Sequence, residues 1–356
     1  ENMAASHEQV LEALSHVLEP ELKKDIVSLG LVSDIKAEGN TISFKVKSSN
    51  PAMHSRKRLE EACIHQVRRF LGEDVGVLVE VEALPKSADR PQEQRRFMPS
   101  VKKFIAVASG KGGVGKSTVC ANISAGLAKR GYKVALVDAD IYGPSMPLMF
   151  DVLDEKPSLS GTETNNKMLP VESYGVKILS IGFFAETNQA IVWRGPMASK
   201  ALKQMFSDVE WGDIDYMLID LPPGTGDVHL SLVQDIPLDG VVIVSTPQNV
   251  ALADARKGVG MFQLPEINVP VLGIVENMSW FTPEELPDNK YYIFGKDGAK
   301  SLAEELNVTL LGQIPLVQSI RESGDVGRPA VLQENTPQAN AFNALIDNLL
   351  KAPEVA

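Results

Sequence analysis

Two periodicities alternate along the chain. Val10, Leu11, Leu14, Val17 and Leu18 recur at helical spacing, which predicts a helix with that set as its buried face. Ile42, Phe44 and Val46 alternate with Thr41, Ser43, Lys45 and Lys47, the period of a half-buried strand. Leu59, Ala62, Cys63, Val67 and Phe70 return to one helix face, and Val75 to Val81 is a short β-branched run. The order helix, strand, strand, helix, strand predicts a small α+β module. After residue 100 the pattern changes. Phe104–Ala108, Val134–Val137, Tyr216–Ile219, Val241–Val244, Val271–Val275 and Val308–Leu311 are near-continuous apolar runs with helical patterns between them. Strands read this way when helices cover both faces of a parallel sheet. The predicted fold class is therefore an α/β parallel-sheet domain preceded by a small α+β domain. No repeat at a solenoid period is present.

Between these patterns lies PKSADRPQEQRRFMP, residues 85–99, with three prolines, many charges and almost nothing apolar. It reads as an exposed linker. The expected division is a module at 1–84, a linker at 85–100 and a larger domain at 101–356. A length of 356 residues agrees, since single cores rarely grow past about 250–300 residues.

Composition narrows the class. Apolar residues are 44% and charged residues 23%, which excludes disorder, collagen and coiled coil for the whole. The net charge is −11, and most of it falls after residue 100. That balance argues against nucleic acid or an anionic membrane as the main partner. Arg56-Lys57-Arg58 and Arg68-Arg69 read as solvated helix faces. No run approaches the ~18 apolar residues of a membrane span, and ENMAASHEQV does not read as a signal peptide, so a reducing cytoplasm is expected. Cys63 and Cys120 are the only cysteines. Two cysteines make neither a disulfide framework nor a four-thiolate metal site.

The strongest chemical signal follows the first long apolar run. FIAVAS leads into GKGGVGKST and then a helical pattern. This is G-x-x-x-x-G-K-[ST] between a strand and a helix, the arrangement that wraps backbone N–H groups around phosphate oxygens at a helix N-terminus. The nucleotide-binding set is Gly110, Lys111, Gly112, Gly113, Val114, Gly115, Lys116, Ser117 and Thr118. Lys116 can reach β- and γ-phosphates, and the Ser117 hydroxyl can ligate Mg²⁺. Asp138 and Asp140 fall at the C-terminal end of the next strand, where α/β sheets place ligands. YMLID ends in Asp220, an apolar strand delivering a carboxylate to the metal shell, and Gly224 in the following loop can approach a γ-phosphate. His229, further along, reads as a polar packing residue.

Together GKGGVGKST (110–118), DADIYGPSMP (138–147), VWRGPM (192–197), DLPPGTGDVHL (220–230), STPQ (245–248), ENMS (276–279), IFGKDGA (293–299) and GQIPL (312–316) resemble the Mrp-type ATPases. These are iron–sulfur carriers among the deviant-P-loop proteins that also include MinD and ParA. The resemblance implies a homodimer with ATP at its interface and slow hydrolysis. It makes Lys111 the signature lysine that crosses to the nucleotide of the other protomer. It makes Asp140 the water-positioning carboxylate, so that Lys111, Lys116 and Asp140 form the catalytic set. Asp138 supports Asp140 and joins Ser117 and Asp220 as the metal set. Asn277 would contact adenine, and Pro315 to Arg321 would flank the base. An iron–sulfur cluster is the implied cargo, with apoprotein clients or assembly factors as partners. Glu19-Pro20-Glu21 and DIVSLGLV (25–32) resemble the small module of iron–sulfur assembly factors over residues 6–84.

One part of the family pattern is missing. Mrp-type proteins carry C-x-x-C shortly after N-M-S, so that two protomers share a four-thiolate cluster. Here the segment is NMSWFTPEELPDNKYYIFG, with Thr282, Pro283, Glu284, Glu285 and Pro287 in that region. The first module reads SSNPAMHS (48–55), where its relatives often have a cysteine. Cys63 and Cys120 fall at core-like positions. A cluster-free, nucleotide-gated scaffold or chaperone is therefore the alternative to a carrier. A MinD- or ParA-like positioning ATPase is disfavoured by the acidic charge. It is disfavoured too by the C-terminal segment, where Phe342, Leu345, Ile346 and Leu349 predict a helix packed on the domain.

Overall fold

The computed structural model describes residues 6–19, 24–49, 53–83, 98–161, 167–184 and 195–356. Two units form, Glu1–Ala88 and Asp89–Ala356, and each is taken by itself. All but the last three residues of the linker placed at 85–100 lie outside the described residues, as do Pro20, Glu21, 50–52 and 192–194.

In the first unit, α1 (His7–Leu14) starts from a capping box, in which Ser6 and Gln9 satisfy one another's backbone N–H groups. β1 (Val32–Glu38) pairs antiparallel with β2 (Thr41–Ser48). After α2 (Met53–Leu71), β3 (Gly76–Ala83) pairs parallel with β2. Val10, Leu14, Ile42, Phe44, Leu59, Cys63 and Val67 share one buried cluster. Three expected core positions, Leu18, Ala62 and Phe70, are exposed instead. α1 stops at Leu14, and the chain then turns, with the Val17 N–H donating to Leu14 O at 3.0 Å. Val17 still enters the core, but Leu18 is 62% exposed. Phe70 is 44% exposed, its ring resting on His16 with centroids 4.8 Å apart.

The second unit begins with β4 (Val101–Ala108), α3 (Lys116–Lys129), β5 (Val134–Asp138), α4 (Met146–Met149) and four short strands: β6 (Ser158–Ser160), β7 (Lys167–Leu169), β8 (Val171–Ser173) and β9 (Val176–Ser180). It continues with α5 (Gly195–Ser207), β10 (Ile214–Asp220), α6 (Asp227–Asp235), β11 (Gly240–Ser245), α7 (Asn249–Gln263), β12 (Val271–Glu276), α8 (Gly298–Glu305), β13 (Leu310–Gln313), α9 (Gln318–Asp325) and α10 (Pro337–Leu350). Eight strands form one sheet in the order β13-β12-β11-β4-β10-β5-β9-β8, parallel except for β8 against β9. Its core strands are buried throughout: every residue of β5 and β11 is inaccessible.

The six apolar runs are the six strands β4, β5, β10, β11, β12 and β13. β13 starts later than expected because Val308 caps the end of α8, its N–H donating to Ala303 O at 2.9 Å. The β8–β9 hairpin was not among the predicted strands. Its turn holds Tyr174 and Gly175 both at positive φ, the two-residue geometry that matches strand twist. α10 is capped by Thr336 and buries Phe342, Leu345, Ile346 and Leu349 completely. Among the described residues no helix is long and apolar enough to cross a membrane.

Candidate nucleotide site

Strand register assembles the site. Asp220 on β10 lies opposite Asp138 on β5, and Asp138 lies opposite Ser180 on β9. On the other half of the sheet Ser245, Glu276 and Gln313 make a second row across β11, β12 and β13. The C-terminal edge of an otherwise apolar sheet is thus polar, at the place where open α/β folds bind ligands.

Between β4 and α3 runs the glycine-rich loop. Gly113 and Gly115 have φ of 81° and 84°, a left-handed geometry that suits glycine. A Cβ at 115 would also collide with the Asn277 side chain, and one at 110 with the backbone of Asp254. Val114 is buried, Gly112 and Gly113 are exposed, and Thr118 is half-buried on the first turn of α3.

Lys116 opens α3 and is 5% exposed. Its Nζ lies 2.6 Å from Asp220 Oδ1, 3.2 Å from Ser117 Oγ and 3.4 Å from Asp140 Oδ2. The Ser117 hydroxyl donates to Asp220 Oδ2 at 2.6 Å. Burial works against the lysine's charge, but Asp220 and Asp140 outweigh it, so its pKa is raised and the ammonium persists.

Asp138 and Asp140 differ in use. Asp138 is fully buried, and its Oδ2 accepts from the N–H groups of Ser145 (3.2 Å) and Met146 (3.1 Å) and from Ser180 Oγ (2.8 Å). Burial, then the charge of Asp220, raises its pKa to about 7 against those hydrogen bonds. Asp140 Oδ1 accepts from the N–H groups of Tyr142 and Gly143, while Oδ2 faces Lys116. Asp138 therefore shapes the loop on which Asp140 stands. Ser180, the buttress of Asp138, carried no signal in the sequence: VKILS is a short strand-like run with one lysine, ending in a small polar residue.

Lys111 is half-buried, and among the described residues its ammonium makes no ion pair. Its carbonyl accepts from the Ser109 hydroxyl at 2.8 Å. Gly224, at φ 96°, bonds through its N–H to Ser109 O at 2.9 Å, which brings the loop after β10 against the phosphate loop. His229 is 3% exposed in α6, with Phe262 beside it at 5.9 Å between centroids. Burial, then nearby Lys116, lowers its pKa to about 4. Asn277 reaches the loop from just beyond the end of β12, its Nδ2 donating to Val114 O at 2.9 Å.

The thiols are elsewhere. Cys63 and Cys120 are both fully buried. Burial, helped by Glu60, pushes Cys63 up to about 12, and burial pushes Cys120 well above the usual thiol range. Among the described residues no group of three or more His, Cys, Asp and Glu side chains is placed to hold a metal. The segment that replaces C-x-x-C forms a lobe closed by reciprocal 2.8 Å backbone bonds between Phe281 and Tyr291. The Lys290 ammonium sits 4.0 Å from the Trp280 ring centroid.

A parallel sheet with a phosphate loop opening its first long helix, and carboxylates on the neighbouring strand tips, defines a nucleotide-binding P-loop NTPase. Residues 100–350 match the model of the NUBPL iron-transfer P-loop NTPases, residues 7–79 match that of the iron–sulfur cluster assembly proteins, and the chain belongs to the former family. It is 43% identical over 341 residues to an iron–sulfur cluster carrier protein of Synechocystis sp., covering 94% of each chain. It is 43% identical over 268 residues to the iron–sulfur cluster transfer protein NUBPL of Dictyostelium discoideum, covering 75% of this chain and 81% of that one. Among solved structures, a nucleotide-binding protein of Archaeoglobus fulgidus in complex with ADP superposes with a TM-score of 0.59 at 35% identity, covering 71% of this chain and 96% of the other.

Proposed function

We propose that the protein binds and hydrolyses ATP as a homodimer and uses that cycle to assist iron–sulfur cluster assembly or transfer to apoproteins. The observation that carries the ATPase reading is the convergence of Ser117, Asp220 and Asp140 on the Lys116 ammonium, each with an oxygen within 3.4 Å of it, at the phosphate loop. Lys116 would leave Asp220 for the β- and γ-phosphates, exchanging one anion for another. Ser117 Oγ and Asp220 Oδ2 are hard oxygen donors side by side, a donor set that fits Mg²⁺, with Asp138 behind them on the adjacent strand. Bound there, Mg²⁺ would neutralise charge on the phosphate oxygens. Asp140 orients the attacking water, and Lys111, whose ammonium makes no ion pair among the described residues, serves the nucleotide of the other protomer. Asn277 meets the base.

The cluster is cargo, and the cysteines of this chain do not fit it: both thiols are buried and held protonated. Cluster chemistry is accordingly assigned to no residue here. The same observation favours a second reading, a nucleotide-gated scaffold that serves assembly partners without holding a cluster. Anaerobic reconstitution with iron and acid-labile sulfide assay, run beside ATP hydrolysis, separates the two. Stoichiometric iron and sulfide on the dimer supports the carrier. Hydrolysis without either supports the scaffold, and absence of nucleotide binding overturns both.

A further inference from the structure

We infer that Glu276 is a positioning residue for the base side of the nucleotide site, acting through Asn277. The inference rests on the reading that Asn277 meets the base.

Glu276 ends β12 and is completely buried. Its Oε2 accepts the N–H of Ala299, in the first turn of α8, at 2.8 Å. There the positive end of the helix favours a carboxylate. Its Oε1 accepts from Gln313 Nε2 at 2.9 Å, and the same amide nitrogen donates to Asp297 Oδ1 at 2.9 Å. The Glu276 carbonyl receives the Ile314 N–H at 2.8 Å and the Ser279 hydroxyl at 2.9 Å. The tip of β12 is thereby tied to β13, to α8 and to both ends of the 280–297 lobe.

Asn277 is the next residue. Its N–H donates to Ser245 O at 2.8 Å, and its Nδ2 donates to Val114 O in the phosphate loop. A backbone carbonyl needs a donor, so this bond fixes which way the amide faces. The Oδ1 then remains to accept from an exocyclic amine, and the second Nδ2 hydrogen to meet a ring nitrogen. That orientation requires the tip of β12 to stay in register with the phosphate loop, and the carboxylate of Glu276 is the only ionic group among the described residues that bonds this tip to α8. A nonspecific core staple would support the whole fold equally. A positioning residue supports recognition of the base and leaves phosphate binding alone.

The test is Glu276→Gln in the full chain, titrated with Mg²⁺ and either the β,γ-imido analogue of ATP or inorganic tripolyphosphate. Glutamine keeps the volume but replaces one acceptor oxygen with NH₂, which cannot accept from Ala299 or Gln313. With the Asn277 amide no longer held, loss of its hydrogen bond to the base corresponds to roughly tenfold weaker binding of the ATP analogue. Tripolyphosphate affinity is expected to stay within about twofold. Equal losses for both ligands, or no loss for either, overturn the inference. Asn277→Ala separates it from the underlying reading. If Asn277→Ala weakens only the ATP analogue while Glu276→Gln weakens neither ligand, the base contact stands and the role of Glu276 falls. If Asn277→Ala weakens neither, the base contact itself is wrong. Should Glu276→Gln not fold, Gln313→Leu removes one of the two side-chain bonds from outside. The same selective loss, about threefold, is then expected, and no selective loss overturns the inference.

Discussion

Lys116 Nζ and Asp220 Oδ1 meet at 2.6 Å in a space where the lysine is 5% exposed and the carboxylate 0%. The pair stands on two elements far apart in sequence, the first turn of α3 and the end of β10. It joins the residue proposed for the phosphates to one proposed for the metal through one contact. Removing one partner of a buried ion pair leaves the other charge uncompensated. Asp220→Ala is expected to cost about 3–5 kcal/mol, read as a lowered denaturation midpoint, and Asp220→Asn less.

Lys111 behaves in the opposite way. Its ammonium makes no ion pair among the described residues, so Lys111→Ala should change stability by less than about 0.5 kcal/mol. ATP turnover by the dimer should nevertheless fall sharply. Thermal denaturation and steady-state hydrolysis on the same sample check both halves. Unchanged turnover would remove Lys111 from the catalytic set.

Asp140 holds the backbone of Tyr142 and Gly143 with one oxygen and faces Lys116 with the other. Asp140→Ala is expected to bind ATP but not hydrolyse it, accumulating an ATP-bound dimer. Size-exclusion chromatography with and without ATP shows this as a nucleotide-dependent shift absent from the hydrolysing parent.

His229 gives an acid-side pH dependence. Its folded pKa is lowered to about 4, while the unfolded chain takes the proton near the ordinary value of 6.5. Between those values the unfolded state binds more protons, so stability falls as pH falls from 6.5 towards 4 and the effect levels off below. The full span corresponds to about 3 kcal/mol. Urea denaturation across this range should show the loss, and His229→Phe should flatten it; an equal slope in both proteins would assign the effect to other groups.

Phe342 is fully buried where α10 closes the sheet. Phe342→Ala is expected to cost about 3–5 kcal/mol by removing the ring and leaving a cavity. Stability by chemical denaturation checks it, with nucleotide affinity measured at low temperature expected to stay near that of the parent.

The six long strands were legible because strands buried on both faces need unbroken apolar runs. The phosphate loop was legible because its spacing is a requirement of phosphate binding. The ends of elements were less so. Val17 and Leu18 continue the helical spacing of α1, yet the chain turns after Leu14 and only Val17 enters the core. β8 and β9 are short, and their Tyr174-Gly175 turn owes its positive φ at a tyrosine to the pairing around it.

By itself the sequence picked out the candidates: Lys111, Lys116, Ser117, Asp138, Asp140 and Asp220 from the phosphate-loop and strand-end motifs, Asn277 from the family resemblance, and the want of cysteines after Cys120. Tertiary structure decided what each one touches. Register set Asp138 against Ser180 and Asp220, so that Asp138 became the support and Asp140 the group facing Lys116. It placed Glu276 between β13 and α8, and Asn277 on the phosphate loop. Such contacts depend on hydrogen bonds between strands dozens of residues apart, and no local pattern encodes them.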